Sequence, residues 1–533
     1  MLKPALMFKD RAVLQRDKRI AVWGLADPGS EVSVSVQGST AAAKADADGK
    51  WTAYVGPLSV SEKEELVISS GEESITCRDI MVGDVWFAGG QSNMEFHMRY
   101  DADVAAEKEV CANPMIRFFD YPEVSFAGQI DMADYGKNYG FWRECDAENL
   151  ERFSATAYYC VKELQAKYQI PMGILACNWG GTPAMAWIPE EVAAQNGDRH
   201  RIEAYHKGLE ALDLEAYDQQ FLNNPGSFRT DQLADPISDL MMFGCSQEEF
   251  LKKIGEMMAA AGIDPSTVNM EDAMLPMGPR HEWRPAGLYE SMLLPCVPYG
   301  IKGFLWYQGC SDSDTPEDAG AYETVFPALI RHWRALWQED LPFLFVQLAP
   351  LNHWMQTDGE FYPITRAAQQ HTADTVPGTA MAVITDVGME WDIHPKKKQP
   401  VGHRLSLLAQ HYVYGDMNVL CEAPTLTAVT AGEGEAVLTF DNAGDGLYLT
   451  DQVPYGQFVG KECAGGLQIF QDGTAVDLSE AKAAAAGDKL TITCPGIHDG
   501  KKTKAVMAGT KWYLVNLYNS AGIPARPASA GEE

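Results

Sequence analysis

A doubly wound α/β domain carried between two β modules is the fold the sequence predicts, and three successive textures along its 533 residues predict it. Short alternating runs open the chain. Unbroken apolar runs joined by helical patterns fill its middle, and alternating runs return at its end. At roughly 150 residues per domain, the length accommodates three such parts.

Residues 1–78 hold Glu31-Val32-Ser33-Val34-Ser35-Val36, Trp51-Thr52-Ala53-Tyr54-Val55 and Leu66-Val67-Ile68, separated by Gly, Asp and Ser. A strand with one wet and one packed sheet face needs polar residues at alternate positions, so this segment reads as an antiparallel β module. Over 79–415 the runs become apolar throughout: Val85-Trp86-Phe87-Ala88, Gly173-Ile174-Leu175-Ala176, Gly303-Phe304-Leu305-Trp306, Phe343-Leu344-Phe345-Val346 and Met381-Ala382-Val383-Ile384. Such runs suit parallel strands buried on both faces. Between them Phe153, Ala157, Val161, Leu164 and Tyr168 fall at helical spacing, as do Phe326, Ile330, Trp333 and Trp337. Strands alternating with crossover helices make a doubly wound sheet.

The span from about 190 to 285 interrupts this alternation and is too long for a bare loop. Ser246 with Glu249 reads as a capping box opening a helix through Phe250, Ile254 and Met257, so the span is expected to be a helical insertion at the sheet's rim. Over 416–533 alternation returns in Glu435–Phe440, Gly466–Phe470, Lys489–Thr493 and Trp512–Val515, a second β module. The alanine run Ala483–Ala486 has a helical composition, but Gly487 and Asp488 end it at once and it reads as a loop turn.

The 42 basic and 74 acidic residues leave a net charge of −32, which repels a phosphate backbone or an anionic leaflet at long range. Neither nucleic acid nor a membrane is an expected partner. No uncharged run reaches the roughly 18 apolar residues a spanning helix needs, and Lys9 and Asp10 interrupt the start before a signal-peptide core develops. Eleven cysteines with no C-x-x-C pair signal neither a zinc cage nor a disulfide framework. The expected location is a reducing one, the cytoplasm.

In Asp84-Val85-Trp86-Phe87-Ala88-Gly89-Gly90-Gln91-Ser92-Asn93-Met94 a buried strand runs into two glycines and then a serine. Glycines permit a tight strand-to-helix turn, which puts Ser92 on the carboxyl edge of the sheet. There it is either a nucleophile with backbone donors around it or a simple helix cap. A serine nucleophile needs a base. Among eleven histidines His394 stands apart: it follows the buried strand ending at Ile384, in Asp392-Ile393-His394-Pro395, with an acid two residues before it that can orient an imidazole. Two more strand-end stretches, Asn178-Trp179-Gly180-Gly181-Thr182-Pro183 and Gln308-Gly309-Cys310-Ser311-Asp312, offer backbone and carboxamide N–H groups to a developing oxyanion; each alone is equally an ordinary turn.

Together these blocks resemble the sialate O-acetylesterase family of SGNH hydrolases. The likeness rests on the serine stretch, on Asn178–Trp187, on Gly303–Asp312, and on Asp392–Pro395 with its sequel Lys398–Gly402. Met7–Arg16, Ala286–Tyr289 and Asn516–Pro524 also resemble recurring family segments. The resemblance implies an SGNH-type doubly wound sheet and a carbohydrate O-acetylesterase that needs no metal or cofactor. Ser92 would be the nucleophile, His394 the base and Asp392 its partner, with Gly181 and Gln308 joining the Ser92 N–H in the oxyanion hole. Two positions depart from the pattern, since relatives usually carry Glu where Cys310 stands and often where Met185 stands.

The implied substrate is an O-acetylated sugar, either sialic acid or a fragment of xylan, xyloglucan or mannan. A protein that binds carbohydrate without catalysis is the reading from another class, and Ser92 with His394 weighs against it. Trp187 is the candidate stacking face, and Arg99 and Arg284 are the candidate partners for a sialate carboxylate. The insertion at 190–285 is expected to wall the pocket.

Overall fold

A computed structural model describes residues 1–223, 227–260, 275–457, 459–460 and 464–532. The chain divides into two units, Met1–Trp306 with Thr324–Phe343, and Tyr307–Glu323 with Leu344–Glu533.

The first unit opens with β structure. Strand Glu31–Val36 buries Val32, Val34 and Val36 and leaves Ser33 and Ser35 partly exposed, as its alternation requires. It pairs antiparallel with Ser39–Lys44 through a two-residue turn at Gln37 and Gly38, both at positive φ (50° and 74°), the turn whose twist matches paired strands. Its other neighbour is Ser61–Ser70.

One 18-residue strand, Glu73–Gly90, then does two jobs. Its first part pairs antiparallel with Ser61–Ser70, and its second pairs parallel with Met172–Asn178. The boundary expected at residue 78 thus falls inside a continuous strand. The sheet order in this unit is Trp142–Cys145, Asn113–Asp120, Met172–Asn178, Glu73–Gly90, Gly303–Tyr307. Met172–Asn178 is buried at every residue, as its unbroken apolar run requires. Helix Ala155–Tyr168 begins where Ser154 Oγ accepts the N–H of Ala157.

Edge-to-face aromatics fill the space over Glu73–Gly90 and Gly303–Tyr307. The Phe87 ring lies 5.6 Å from Trp333, and Phe304 lies 5.2 Å from Trp337. Burying each such ring contributes roughly 1.5–3 kcal/mol.

The described part of the insertion carries the helices Arg199–Ala211, Leu214–Asn223, Pro236–Phe243 and Gln247–Ala260, joined by turns and irregular segments; residues 224–226 and 261–274 of that span lie outside the described residues. Ser246 and Glu249 form the reciprocal capping box, with Ser246 N–H donating to Glu249 at 2.8 Å and Glu249 N–H donating to Ser246 Oγ at 3.2 Å.

In the second unit, strands Phe343–Val346 and Thr379–Ala382 are neighbours. After them come two four-stranded sheets, one ordered Thr425–Gly432, Glu435–Asp441, Lys489–Thr493, Lys482–Ala486, the other Thr474–Ala475, Leu467–Gln471, Thr503–Met507, Ala528–Gly531. Leu438, Phe440, Leu490 and Ile492 of the first share one core with Ile469 and Met507 of the second.

Two segments differ from their expected structure. The alanine run is a strand, because Gly487 (φ 58°) and Asp488 turn the chain back so that Ala483 faces Ile492 and Ala486 faces Lys489. Trp512–Val515 forms no ladder, since the Val515 N–H is used on the Thr385 carbonyl at 3.1 Å. No described helix is long and apolar enough to cross a membrane.

Candidate active site

In the first unit, paired strand ends build the site. Gly90 and Asn178 are register partners, so the segments that follow them leave the sheet side by side. Gly90 sits at φ 136°, a conformation L side chains rarely adopt, and the chain turns there through Gln91 into the short helix Ser92–Glu95. Gly89 is small for a second reason: a Cβ there would lie 3.2 Å from the Trp306 ring. The turn is braced from the next helix, where Thr156 Oγ1 donates to the Asn93 carbonyl at 3.0 Å and Ser154 Oγ donates to that of Met94 at 2.5 Å. Ser92 is 7% exposed.

Beside it runs Asn178–Thr182. Asn178 Nδ2 donates to the Ala88 carbonyl at 3.2 Å, and Thr182 Oγ1 closes the loop on the Trp179 carbonyl at 2.7 Å. Gly181 takes φ 76°. A Cβ on Gly180 would come within 3.3 Å of Ser92 Cβ, so the backbone of this loop passes directly against the serine. The Gly180 N–H donates to Glu95 Oε2.

Glu95 was not singled out from the sequence. It is buried beside Glu123, and burial raises its carboxyl above the ordinary range, against the opposing pull of Arg229 and the Gly180 N–H. Arg229 pairs with Glu123 at 3.0 Å and lies 5.9 Å over the Trp179 ring. The one signal available was a charged residue between Met94 and Phe96, three positions after the serine. His97 is driven down to about 3 by burial, with Arg152 and Arg229 adding to the shift, so it is neutral.

In the second unit, Gln308 is fully buried. Its Oε1 accepts from Tyr322 OH at 2.9 Å and its Nε2 donates to Asp312, which fixes the direction of the carboxamide. Gly309, at φ 136°, carries the chain away from the strand end. Burial pushes the Cys310 thiol up to about 11, so it is protonated at neutral pH and is a poor nucleophile.

His394 is 2% exposed and meets Trp354 edge to face at 5.2 Å. Burial, reinforced by Lys396 and Lys398, lowers its pKa well below 6.5, which keeps the imidazole neutral. The expected hydrogen bond from the ring to Asp392 is not made: His394 Nδ1 is 3.7 Å from Asp392 Oδ1. With only one residue between them, the carboxylate reaches the backbone instead. It accepts the His394 N–H at 2.8 Å through Oδ1 and pairs with Lys396 at 2.8 Å through Oδ2. Asp386 is fully buried, held by both Arg404 nitrogens at 2.6 Å and by Tyr518 OH at 2.9 Å.

The three expected sugar contacts are engaged elsewhere. Trp187 is fully buried, 6.4 Å from Trp306 and 6.5 Å from Trp333, with Nε1 donating to Thr182 Oγ1 at 3.0 Å; it packs the core and offers no face to a sugar. Arg99 pairs with Asp239 at 2.7 Å, and Arg284 pairs with Glu290 at 2.6 Å. Each guanidinium already has a carboxylate partner.

Residues 279–405 match the family profile described as carbohydrate esterase, sialic acid-specific acetylesterase, a span that includes Gln308, Asp392 and His394. The chain is 26% identical over 467 residues to the sialate O-acetylesterase of Mus musculus, covering 80% of this chain and 77% of that one. The Homo sapiens sialate O-acetylesterase is 25% identical over 450 residues, covering 77% and 71%. Among solved structures, a carbohydrate acetylesterase from Xanthomonas citri aligns with a TM-score of 0.68 at 26% identity, covering 99% of both chains.

Proposed function

We infer that this chain, a carbohydrate esterase of the sialate O-acetylesterase family, removes O-acetyl groups from a sugar by acyl transfer through Ser92. The observation that carries the reading is the Gly180–Gly181 backbone lying against Ser92, with a Gly180 Cβ position only 3.3 Å from that of the serine. A nucleophile and backbone donors meet where two neighbouring strands end, as an esterase requires. The fold assigned with this reading is an SGNH-type doubly wound sheet flanked by β modules, the first of them joined to the sheet through the continuous strand Glu73–Gly90.

The chemistry follows from these roles. Ser92 Oγ attacks the acetyl carbonyl as His394, neutral and therefore competent, takes the proton. The tetrahedral oxyanion is met by the N–H groups of Ser92 and Gly181 and by the Gln308 carboxamide. His394 then gives the proton to the departing sugar hydroxyl, and a water activated by the same imidazole releases acetate from acetyl-Ser92. Asp392 acts through the backbone, holding the turn that presents His394.

Sialic acid is the substrate the family resemblance favours. The pairing of Arg99 and Arg284 with carboxylates favours the second reading, a neutral acetylated xylan, xyloglucan or mannan fragment. Acetate release from a panel holding 9-O-acetylated sialic acid and these fragments tests both. Ser92→Ala is expected to lower kcat by at least about 10³-fold with the fold intact. A purified, folded mutant retaining more than about a tenth of wild-type activity overturns the mechanism.

A further inference from the structure

The buried acid at Glu95 is an expensive feature, because a carboxyl removed from water must recover its lost hydration from its partners. Glu95 is the last residue of the helix that begins at Ser92, and its Oε2 accepts the N–H of Gly180, one peptide before Gly181. A Cβ on Gly180 would lie 3.0 Å from that oxygen and 3.3 Å from Ser92 Cβ, so acid, loop and serine are in mutual contact. Thr182 Oγ1 closes the loop's far end on Trp179 at 2.7 Å. Held at both ends, the loop has little freedom in the direction of the Gly181 N–H.

A second set of contacts reaches this point from the helical insertion. Arg229 lies between the insertion helices Leu214–Asn223 and Pro236–Phe243. Its guanidinium pairs at 3.0 Å with Glu123, which adjoins Glu95, and covers the ring of Trp179, the residue before Gly180, at 5.9 Å. It also donates to Ser238 Oγ at 3.2 Å, a bond wholly within the insertion.

We propose that Glu95 is a positioning residue that aims the Gly180–Gly181 backbone at the oxyanion formed on Ser92, and that Arg229 extends this control to the insertion. The inference rests on the acyl-transfer reading above. It assigns the insertion a part in catalytic rate even on substrates too small to touch it. A misaimed oxyanion donor weakens the transition state far more than the bound ester, so the loss appears in kcat and not in KM.

The test uses the full chain and 4-nitrophenyl acetate, with kcat and KM measured for wild type, Glu95→Ala, Glu95→Gln, Arg229→Met and Ser92→Ala. Glu95→Ala is expected to lose on the order of 10²-fold in kcat with KM within about twofold. Glu95→Gln, whose carboxamide oxygen still accepts the Gly180 N–H, is expected to recover most of that loss. Arg229→Met takes the partner from the buried Glu123 carboxylate, so its kcat is read on protein shown to be folded by circular dichroism, and it is expected to lose about tenfold in kcat alone.

Wild-type kcat in Glu95→Ala, or a Glu95→Gln enzyme as poor as Glu95→Ala, overturns the inference. Where Glu95→Ala does not fold, Arg229→Met decides: kcat equal to wild type overturns it, and a kcat loss at constant KM supports it. Turnover by Ser92→Ala above about a tenth of wild type overturns the esterase mechanism itself. Ser92-dependent turnover with unchanged Glu95 and Arg229 variants overturns this inference alone.

Discussion

The turn that carries Ser92 and the turn that carries His394 are built on different principles. The first is a matter of backbone: partner strands end in register at Gly90 and Asn178, and a glycine at φ 136° makes the corner. The second is a matter of charge: Asp392 joins the His394 N–H to the Lys396 ammonium, and the loop's root is tied through Asp386 to Arg404 and Tyr518. A backbone-built turn is sensitive to added atoms and indifferent to salt. A charge-built turn has the opposite sensitivities, graded by burial.

The largest expected effect falls on the root of the charge-built turn. Asp386→Asn leaves the Arg404 guanidinium, whose side chain is only 3% exposed, without its carboxylate, and breaking a buried pair from one side costs about 3–5 kcal/mol. Thermal unfolding of the mutant should show a matching fall in Tm; an unchanged Tm would mean that charge does not hold this turn. Next in size is Gly180→Ala. Its methyl meets Glu95 at 3.0 Å and Ser92 at 3.3 Å, and displacing the loop should lower kcat on the order of 10²-fold with little change in Tm.

A smaller effect is expected for Asp392→Asn. The carboxamide oxygen still accepts the His394 N–H and only the Lys396 pair is lost, so kcat should fall by no more than about tenfold. A loss near that of Ser92→Ala would restore Asp392 to direct contact with the imidazole. The smallest effect is in the pH profile. Because burial holds His394 well below 6.5, kcat/KM should stay flat as pH falls through 6.5 and drop only below it. Stability behaves differently. The unfolded state protonates His97 and His394 near 6.5 while the folded state resists, so Tm should decline as pH falls below that value. An activity limb at 6.5 would mean that the catalytic base is a solvated histidine.

Features that depend on local pattern were legible in the residues alone. Alternation placed Val32, Val34 and Val36 on one face, an unbroken apolar run identified Met172–Asn178 as a strand buried throughout, and Ser246 with Glu249 marked a helix start. Two glycines before Ser92 marked the corner, because a positive φ restricts residue choice at that one position. Tertiary structure decided what depends on partners distant in sequence. Trp187 looked like a sugar platform until the Trp306 and Trp333 rings closed on it, and Arg99 and Arg284 looked available until Asp239 and Glu290 were found to hold them. Ala483–Ala486 became a strand because Lys489–Thr493 lies alongside, against the run's own helical propensity. Glu95 acquired its place only when Gly180, Glu123 and Arg229 converged on it from three separate parts of the chain. A periodicity is written in neighbouring residues. The partner of a buried charge is chosen by the packing that buries it.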